Sequence, residues 1–132
     1  MDKLTNIEIG TFLKLFNRGG YVLDFTTNDF DVFTMESIGI ALCNEYHMSK
    51  GKSLAAYVNS ASTSDIEKLL NDLLSYYEEN YEQEYTENLT DDEYSYCQYN
   101  AEYARLYKKC RAYMNRVLNI ATPLAVNAAE LQ

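Results

Sequence analysis

The sequence predicts an α+β fold that is predominantly helical, with five to six helices, a small strand element near residues 21–25 and a long C-terminal helical hairpin. Apolar side chains recur at helical spacing along most of the chain, and Thr/Ser-x-x-Glu capping boxes precede several of these segments. Only one short stretch is rich in strand-forming residues. The length of 132 residues suits a single domain with a sizeable core.

The segment 15–33 is the centre of this pattern. It contains a helix end, the Gly19-Gly20 turn, the predicted strand and the start of a second helix, together with four of the five phenylalanines. Gly19 suits the left-handed residue that commonly follows the end of a helix. A single strand needs a partner, and residues 37–42 are the only candidate, although they also fit a helix.

Capping residues and helix breakers divide the first half of the chain into helices. Thr5 and Glu8 form a capping box that opens the first helix. Asn28 is the expected N-cap of the second helix, and Gly39 is expected to break it. A short third helix is predicted over residues 54–61.

The second half of the chain predicts two long helices. A capping box at Ser64 and Glu67 opens the first of them, which carries one apolar stripe, and a third capping box at residues 90–93 precedes the second. The second helix has a tyrosine-rich heptad seam, which we expect to pack against the first as an antiparallel hairpin rather than in a coiled-coil dimer. The stripe is Ile66, Leu69, Leu70, Leu73, Leu74 and Tyr77, and the seam is Tyr96, Tyr99, Tyr103, Leu106, Cys110, Tyr113, Val117 and Ile120.

Charge is distributed unevenly, and the formal net charge is −9. Residues 78–93 carry eight acids and no base, whereas residues 94–132 carry five bases and two acids. The acidic balance disfavours direct nucleic-acid binding by most of the domain. The acidic tract 78–93 is either a surface for a basic partner or a solvated helix end and loop. The candidate partner-surface residues are Glu78, Glu79, Glu82 and Glu84 in the tract, with Lys108, Lys109 and Arg111 on the basic flank of the last helix.

No catalytic or metal-binding constellation is recognisable in the sequence. His47 is the only histidine, so neither a catalytic dyad nor a metal site can be proposed, and we expect no enzymatic activity and no cofactor. The cysteines Cys43, Cys97 and Cys110 lack CxxC spacing and are expected to be buried free thiols. No stretch approaches the roughly 20 apolar residues of a membrane span, and we expect a cytoplasmic protein.

Arg18 allows two interpretations. It either anchors an anion beside the strand end, or it is a solvated residue in the last helical turn that complements the helix dipole. The first interpretation supports the hypothesis of a small-molecule pocket near Arg18, Tyr21 and Asp24, with Asp29 as a further candidate.

Several unlinked stretches within residues 8–118 share the pattern of one protein family. They are residues 12–25 (Phe-Leu-Lys-Leu-Phe-Asn-Arg-Gly-Gly-Tyr-Val-Leu-Asp-Phe), Phe30, Phe33, residues 36–40 (Glu-Ser-Ile-Gly-Ile), residues 69–77 (Leu-Leu-Asn-Asp-Leu-Leu-Ser-Tyr-Tyr) and residues 107–111 (Tyr-Lys-Lys-Cys-Arg). Together they resemble the N-terminal domain of bacterial abortive-infection proteins of the AbiJ type. The Gly-Gly-Tyr-Val-Leu-Asp-Phe core carries the resemblance best, because several independent features agree around it.

The resemblance implies a role in defence against phage. In that family the N-terminal module is thought to sense or regulate, and a C-terminal helical domain delivers the antiviral effect. HEPN-type C-terminal domains are RNases that use an Arg-x4–6-His motif. In this chain His47 lies too far beyond Arg18 for that motif, and no histidine follows a later arginine. Nuclease activity is therefore not implied.

The resemblance makes residues 1–132 a single N-terminal domain of such a protein or of a relative. A helix predicted from Thr122 runs to Gln132 without a C-cap, which favours a longer native protein. The expected role is a non-enzymatic sensory, regulatory or protein-interaction module, as a monomer or weak dimer, whose partner is another protein or the effector domain of the same chain. The alternative is a stand-alone acidic inhibitor, borne by a phage or mobile element, that uses residues 78–93 to occupy a basic protein surface.

Overall fold

The computed structural model of the protein describes residues 3–87 and 98–119. Within these ranges the fold is predominantly helical α+β, as predicted. The elements are α1 (Asn6–Phe16), β1 (Asn17–Arg18), β2 (Tyr21–Val22), α2 (Thr27–Ile38), α3 (Leu42–Tyr46), α4 (Lys50–Ser60), α5 (Thr63–Asn80), α6 (Glu82–Tyr85) and α7 (Ala101–Val117). These seven helices exceed the five to six expected, because α3 and α6, of five and four residues, were not predicted. The helix predicted from Thr122 lies outside the described residues.

The first helix leads directly into the small sheet. Thr5 caps α1 through both hydrogen bonds of the predicted capping box, with Glu8 at N3. The strand predicted near residues 21–25 is shorter than expected, and it pairs with β1 rather than with residues 37–42. Gly19 and Gly20 have φ of +66° and +93° and form the turn between the strands. Two successive positive φ angles match the right-handed twist of a hairpin, which explains the glycine pair.

Three helix starts differ from the predicted ones by two to four residues. The hydroxyl of Thr26, not the side chain of Asn28, caps α2. Ser49 caps α4, so this helix begins at Lys50 instead of residue 54. Ser62 caps α5 in place of Ser64. Each segment contains more than one capping residue within a few positions, and local sequence does not decide between them. The predicted break at Gly39 is confirmed, since this residue ends α2 with φ of +75°.

Helix α5 lies at the centre of the domain. All six residues of its predicted apolar stripe are buried, and the helix contacts both α2 and α7. The core continues through the aromatic and aliphatic side chains of α1, the hairpin and α2. Its largest fully buried members outside α5 are Phe12, Phe16, Phe30, Leu15, Leu42, Leu54 and Met114. None of the helices that the structure describes combines the length and the hydropathy needed to cross a bilayer.

Helix α7 packs inside the domain, as the sequence predicted. It contacts α5, the expected partner in the hairpin, and it also packs extensively along α1 and against α6. Asn100 caps α7 through its side chain, so the helix begins at Ala101 and the seam residue Tyr99 lies before it. Buried Cys110 and Met114 face the core, and the seam residues Tyr103, Leu106, Tyr113 and Val117 pack against it. Tyr96, Ile120 and the capping box at residues 90–93 lie outside the described ranges.

Candidate functional site

Arg18 is held by an internal ion pair. Its two terminal nitrogens donate to the carboxylate of Glu84 at 2.8 and 3.2 Å, and its Nε donates to the carbonyl of Leu15 at 2.9 Å. The guanidinium lies 3.7 Å from the ring centroid of Tyr103 on α7, a cation–π geometry. The Arg18 and Glu84 side chains are only 21% and 10% exposed. The structure therefore gives Arg18 an anchoring role between the hairpin, α6 and α7.

Two of the other candidates for a small-molecule pocket lie near Arg18: Tyr21 pairs with it across the hairpin, and Asp24 shares Tyr81 with it as a neighbour. Tyr21 is 61% exposed, and the Lys50 ammonium lies 4.5 Å from its ring centroid. Asp24 accepts a hydrogen bond from the hydroxyl of Tyr76 at 2.9 Å. Asp29 is exposed in the first turn of α2. Tyr21 and Asp24 thus have contacts within the fold that account for their positions.

The acidic tract is divided between inward and outward side chains. The carboxylate of Glu78 accepts two hydrogen bonds from Arg111, at 2.8 and 2.9 Å, and a third from the hydroxyl of Tyr107. Burial is the main cause that raises the pKa of Tyr107 well above its ordinary value, and the hydrogen bond to the Glu78 carboxylate raises it as well. Glu78 and Arg111, like Glu84, thus have partners within the chain. Glu79, Glu82, Lys108 and Lys109 are exposed.

A groove between α2 and α5 has the composition of a binding surface. It is open to solvent, with a volume of about 360 Å³, and α2 and α5 each supply one side. Its aromatic wall consists of Phe33 and Tyr76, whose ring centroids lie 5.8 Å apart in an edge-to-face arrangement. The ring of Phe25 stacks on Tyr76 at 4.5 Å and supports this wall from the core. The lining residues are Phe33, Glu36, Ser37, Asp72, Ser75, Tyr76 and Glu79.

The polar side chains of the groove are all acidic or hydroxylic. Asp72 is held in place by the hydroxyl of Ser37 and the ammonium of Lys68, which both donate to its Oδ2 at 2.6 Å. Glu36 and Glu79 are exposed, and neither has an ion-pair partner among residues 3–87 and 98–119. Carboxylates beside aromatic faces attract a Lys or Arg side chain in two ways, through the charge and through the ring quadrupole. The groove can therefore bind a cationic side chain.

Sequence reasoning missed this groove, although part of the pattern was visible. Residues 72, 75, 76 and 79 are spaced three, one and three positions apart, so they occupy one face of a helix. Of this set only Glu79 was among the candidates, because it lies in the acidic tract. Glu36 and Asp72 belong to different helices, and their proximity depends on how α2 packs against α5.

The single histidine and the cysteines of the described residues take part in no metal-binding cluster. His47 is exposed and ends α3 with φ of +56°. Within residues 3–87 and 98–119, no three or more His, Cys, Asp or Glu side chains are arranged to hold a metal ion. Cys43 and Cys110 are buried free thiols, as predicted, whereas Cys97 lies outside the described ranges.

Comparisons with family models, curated proteins and solved structures found no significant match to this chain.

Proposed function

We propose that this chain is a non-enzymatic regulatory module of a cytoplasmic phage-defence protein of the abortive-infection type, and that it binds a protein partner through the groove between α2 and α5. The resemblance within residues 8–118 supports the defence context. The groove supports the protein-binding role. We assign the partner surface to Glu36 and Glu79 rather than to Glu78 and Glu84, because the latter two are engaged inside the fold.

One observation carries this proposal: within residues 3–87 and 98–119, Glu36 and Glu79 have no ion-pair partner, and they lie at the rim of a groove whose wall is aromatic. The net charge of −9 adds a long-range attraction for cations, which raises the rate at which a basic segment meets the surface. The same charge repels the phosphates of nucleic acids. The favoured partner is a basic segment of another protein, or of an effector domain in the same polypeptide.

Charge reversal at two surfaces tests the proposal. The native gene is expressed in full in a bacterial host, and protection is measured as plaque formation by infecting phage. Glu36→Lys with Glu79→Lys reverses the groove, whereas Glu82→Lys with Glu87→Lys makes the same charge change in the exposed part of the acidic tract. We expect the groove variant to lose protection and the tract variant to retain it. Unchanged protection in a folded groove variant would contradict the proposal.

The second candidate function is the acidic inhibitor. The exposed Glu82 and Glu87 favour it, because they remain available to a basic protein after Glu78 and Glu84 turn inward. An inhibitor needs no defence effector, and its binding blocks the activity of the partner. In that case Glu82→Lys with Glu87→Lys is the damaging change, and the groove variant remains active.

A further inference from the structure

Helix α2 exposes two large apolar side chains one turn apart. Val32 and Met35 are 50% and 51% exposed, while Phe30 and Thr34 on the opposite side of the helix are fully buried. The remaining large apolar residues exposed among residues 3–87 and 98–119 lie on other segments of the chain. They are Ile7, Tyr21, Met48, Tyr99 and Leu118. Val32 and Met35 therefore form an apolar ridge on α2.

An apolar groove runs beside this ridge. It is shallow and open, with a volume of about 340 Å³, and its lining consists of Asp31, Val32, Met35, Glu36 and Ala41. Ala41 belongs to the connection between α2 and α3. Glu36 borders both this apolar groove and the acidic groove between α2 and α5. An apolar surface and an acidic surface thus meet along one helix.

Hydrogen bonds hold the backbone on one side of the apolar groove, at the connection between α2 and α3. The carboxylate of Asp31 accepts hydrogen bonds from the backbone N–H groups of Cys43 and Asn44, at 2.8 and 3.1 Å. In this way a side chain from α2 caps the start of α3. The hydroxyl of Thr34 accepts from the N–H of Leu42 at 3.2 Å, which holds the same connection. A backbone held in this way avoids part of the ordering cost of binding.

The arrangement of the two grooves selects one class of partner. A segment that covers both must present apolar side chains next to basic ones, which an amphipathic helix does along adjacent stripes. An extended basic peptide would use the acidic groove and leave Val32 and Met35 in water. The flexible thioether of Met35 adapts to apolar side chains of different shapes.

We infer, on the basis of the proposed function, that the partner segment is an amphipathic helix whose apolar face packs on Val32, Met35 and Ala41 and whose basic flank pairs with Glu36 and Glu79. The juxtaposition of the two grooves along α2 supports this assignment. The apolar contact determines which basic segments bind, and the carboxylates attract them.

Two synthetic peptides test the inference on the full chain. One is a fluorescein-labelled helix of about five turns, built from leucine and lysine at helical spacing, and the other has the same composition in a scrambled order without an apolar face. Binding is measured by fluorescence anisotropy. We expect the helical peptide to bind at least tenfold more tightly than the scrambled one. Val32→Ser with Met35→Ser should remove that preference, whereas Ile7→Ser, at a residue 84% exposed elsewhere, should preserve it.

The outcomes separate this inference from the proposed function. If both peptides bind equally, or if Val32→Ser with Met35→Ser behaves like Ile7→Ser, the helical partner is wrong. The acidic groove still stands in that case, provided that Glu36→Lys with Glu79→Lys weakens both peptides by tenfold or more. If the charge reversal leaves both affinities unchanged, or if neither peptide binds, the proposed binding surface is wrong as well. Circular dichroism and the midpoint of thermal unfolding confirm that each variant is folded.

Discussion

The guanidinium of Arg18 binds both carboxylate oxygens of Glu84, although 66 positions separate the two residues in the sequence. The hydroxyl of Tyr77 donates to the same carboxylate at 2.6 Å, and the ring of Tyr103 lies against the guanidinium. These four side chains come from the hairpin, α6, α5 and α7. The pair thus joins four elements around one largely buried charge, and its loss should affect the whole domain.

Removal of Glu84 is the first test of this arrangement. Glu84→Ala removes the carboxylate that pairs with Arg18 and accepts from the Tyr77 hydroxyl, and breaking a buried ion pair in this way costs about 3 kcal/mol. We expect that loss in the free energy of unfolding measured with urea. Glu82→Ala, at an exposed glutamate in the same short helix, should change stability by less than about 0.5 kcal/mol. Equal effects of the two substitutions would contradict an anchoring role for the pair.

Two glycines should respond to alanine in opposite directions. Gly19 has φ of +66°, so Gly19→Ala should destabilise the protein by about 1 kcal/mol through backbone strain. No side-chain or backbone atom lies within 4 Å of the added Cβ, and the cost is therefore conformational. Gly10 lies inside α1, where alanine should stabilise by about 0.5–1 kcal/mol. Thermal unfolding of both variants checks the signs, and a stabilising Gly19→Ala would refute the turn.

Local patterns predicted the parts of the fold that local physics determines. The capping box at Thr5 and Glu8, the glycine turn and the buried stripe of α5 each depend on a few neighbouring residues, and all three are present. Helix starts were less certain, because several capping residues compete within a few positions. The strand partner was missed, since residues 17 and 18 continue the helical pattern of α1 until the hairpin turns them back.

The acidic tract shows why the site was harder to predict. Nothing in the local sequence distinguishes Glu78 and Glu84 from the exposed Glu79 and Glu82. Glu78 and Glu84 point inward because each pairs with an arginine that is distant in the sequence. Arg111 is 33 positions from Glu78, and no local rule connects them. The groove between α2 and α5 likewise combines residues that are far apart in the sequence. Charge composition predicted an acidic partner surface, and the packing of the helices decides which of the carboxylates in the described residues remain exposed.

The pair of Glu8 and Arg116 should make stability depend on pH in the acid range. The pKa of Glu8 falls from its ordinary 4.5 to about 2, chiefly because Arg116 donates to its carboxylate, with a smaller contribution from the cap at Thr5 and with burial acting in the opposite direction. A carboxyl group whose pKa falls on folding stabilises the native state above its unfolded pKa, and this contribution disappears as the pH falls through the folded pKa. The window is therefore between about pH 4.5 and pH 2.

Comparison with Glu8→Gln isolates this contribution. Glutamine still serves as the N3 residue of the capping box, so the variant removes only the charge. The difference in the free energy of unfolding between wild type and variant should be largest near neutral pH and should vanish towards pH 2. Glu45→Gln, at an exposed glutamate of α3, is the matched control and should give a small difference at every pH. A difference for Glu8→Gln that stays constant with pH would exclude the ion pair as its cause.

The buried thiols should be unreactive in the native protein. Burial raises the pKa of Cys110 to about 12, and burial together with Asp31 raises the pKa of Cys43. Alkylation requires an accessible thiolate, which both residues lack at pH 8. We expect iodoacetamide to modify neither residue in the native state and both in denaturant, as measured by mass spectrometry of the digested chain. If Cys43 or Cys110 were modified as fast in the native protein as in denaturant, the burial of that thiol would be contradicted.

The most direct test of the binding surface is to map contacts along the backbone. The isotope-labelled chain is titrated with the leucine–lysine helix, and amide shifts are followed by heteronuclear NMR. The account predicts that the largest shifts fall on residues 32–37 of α2 and 72–79 of α5, and that they disappear in Glu36→Lys with Glu79→Lys. Shifts centred on residues 82–87, or on the basic flank of α7, would contradict it.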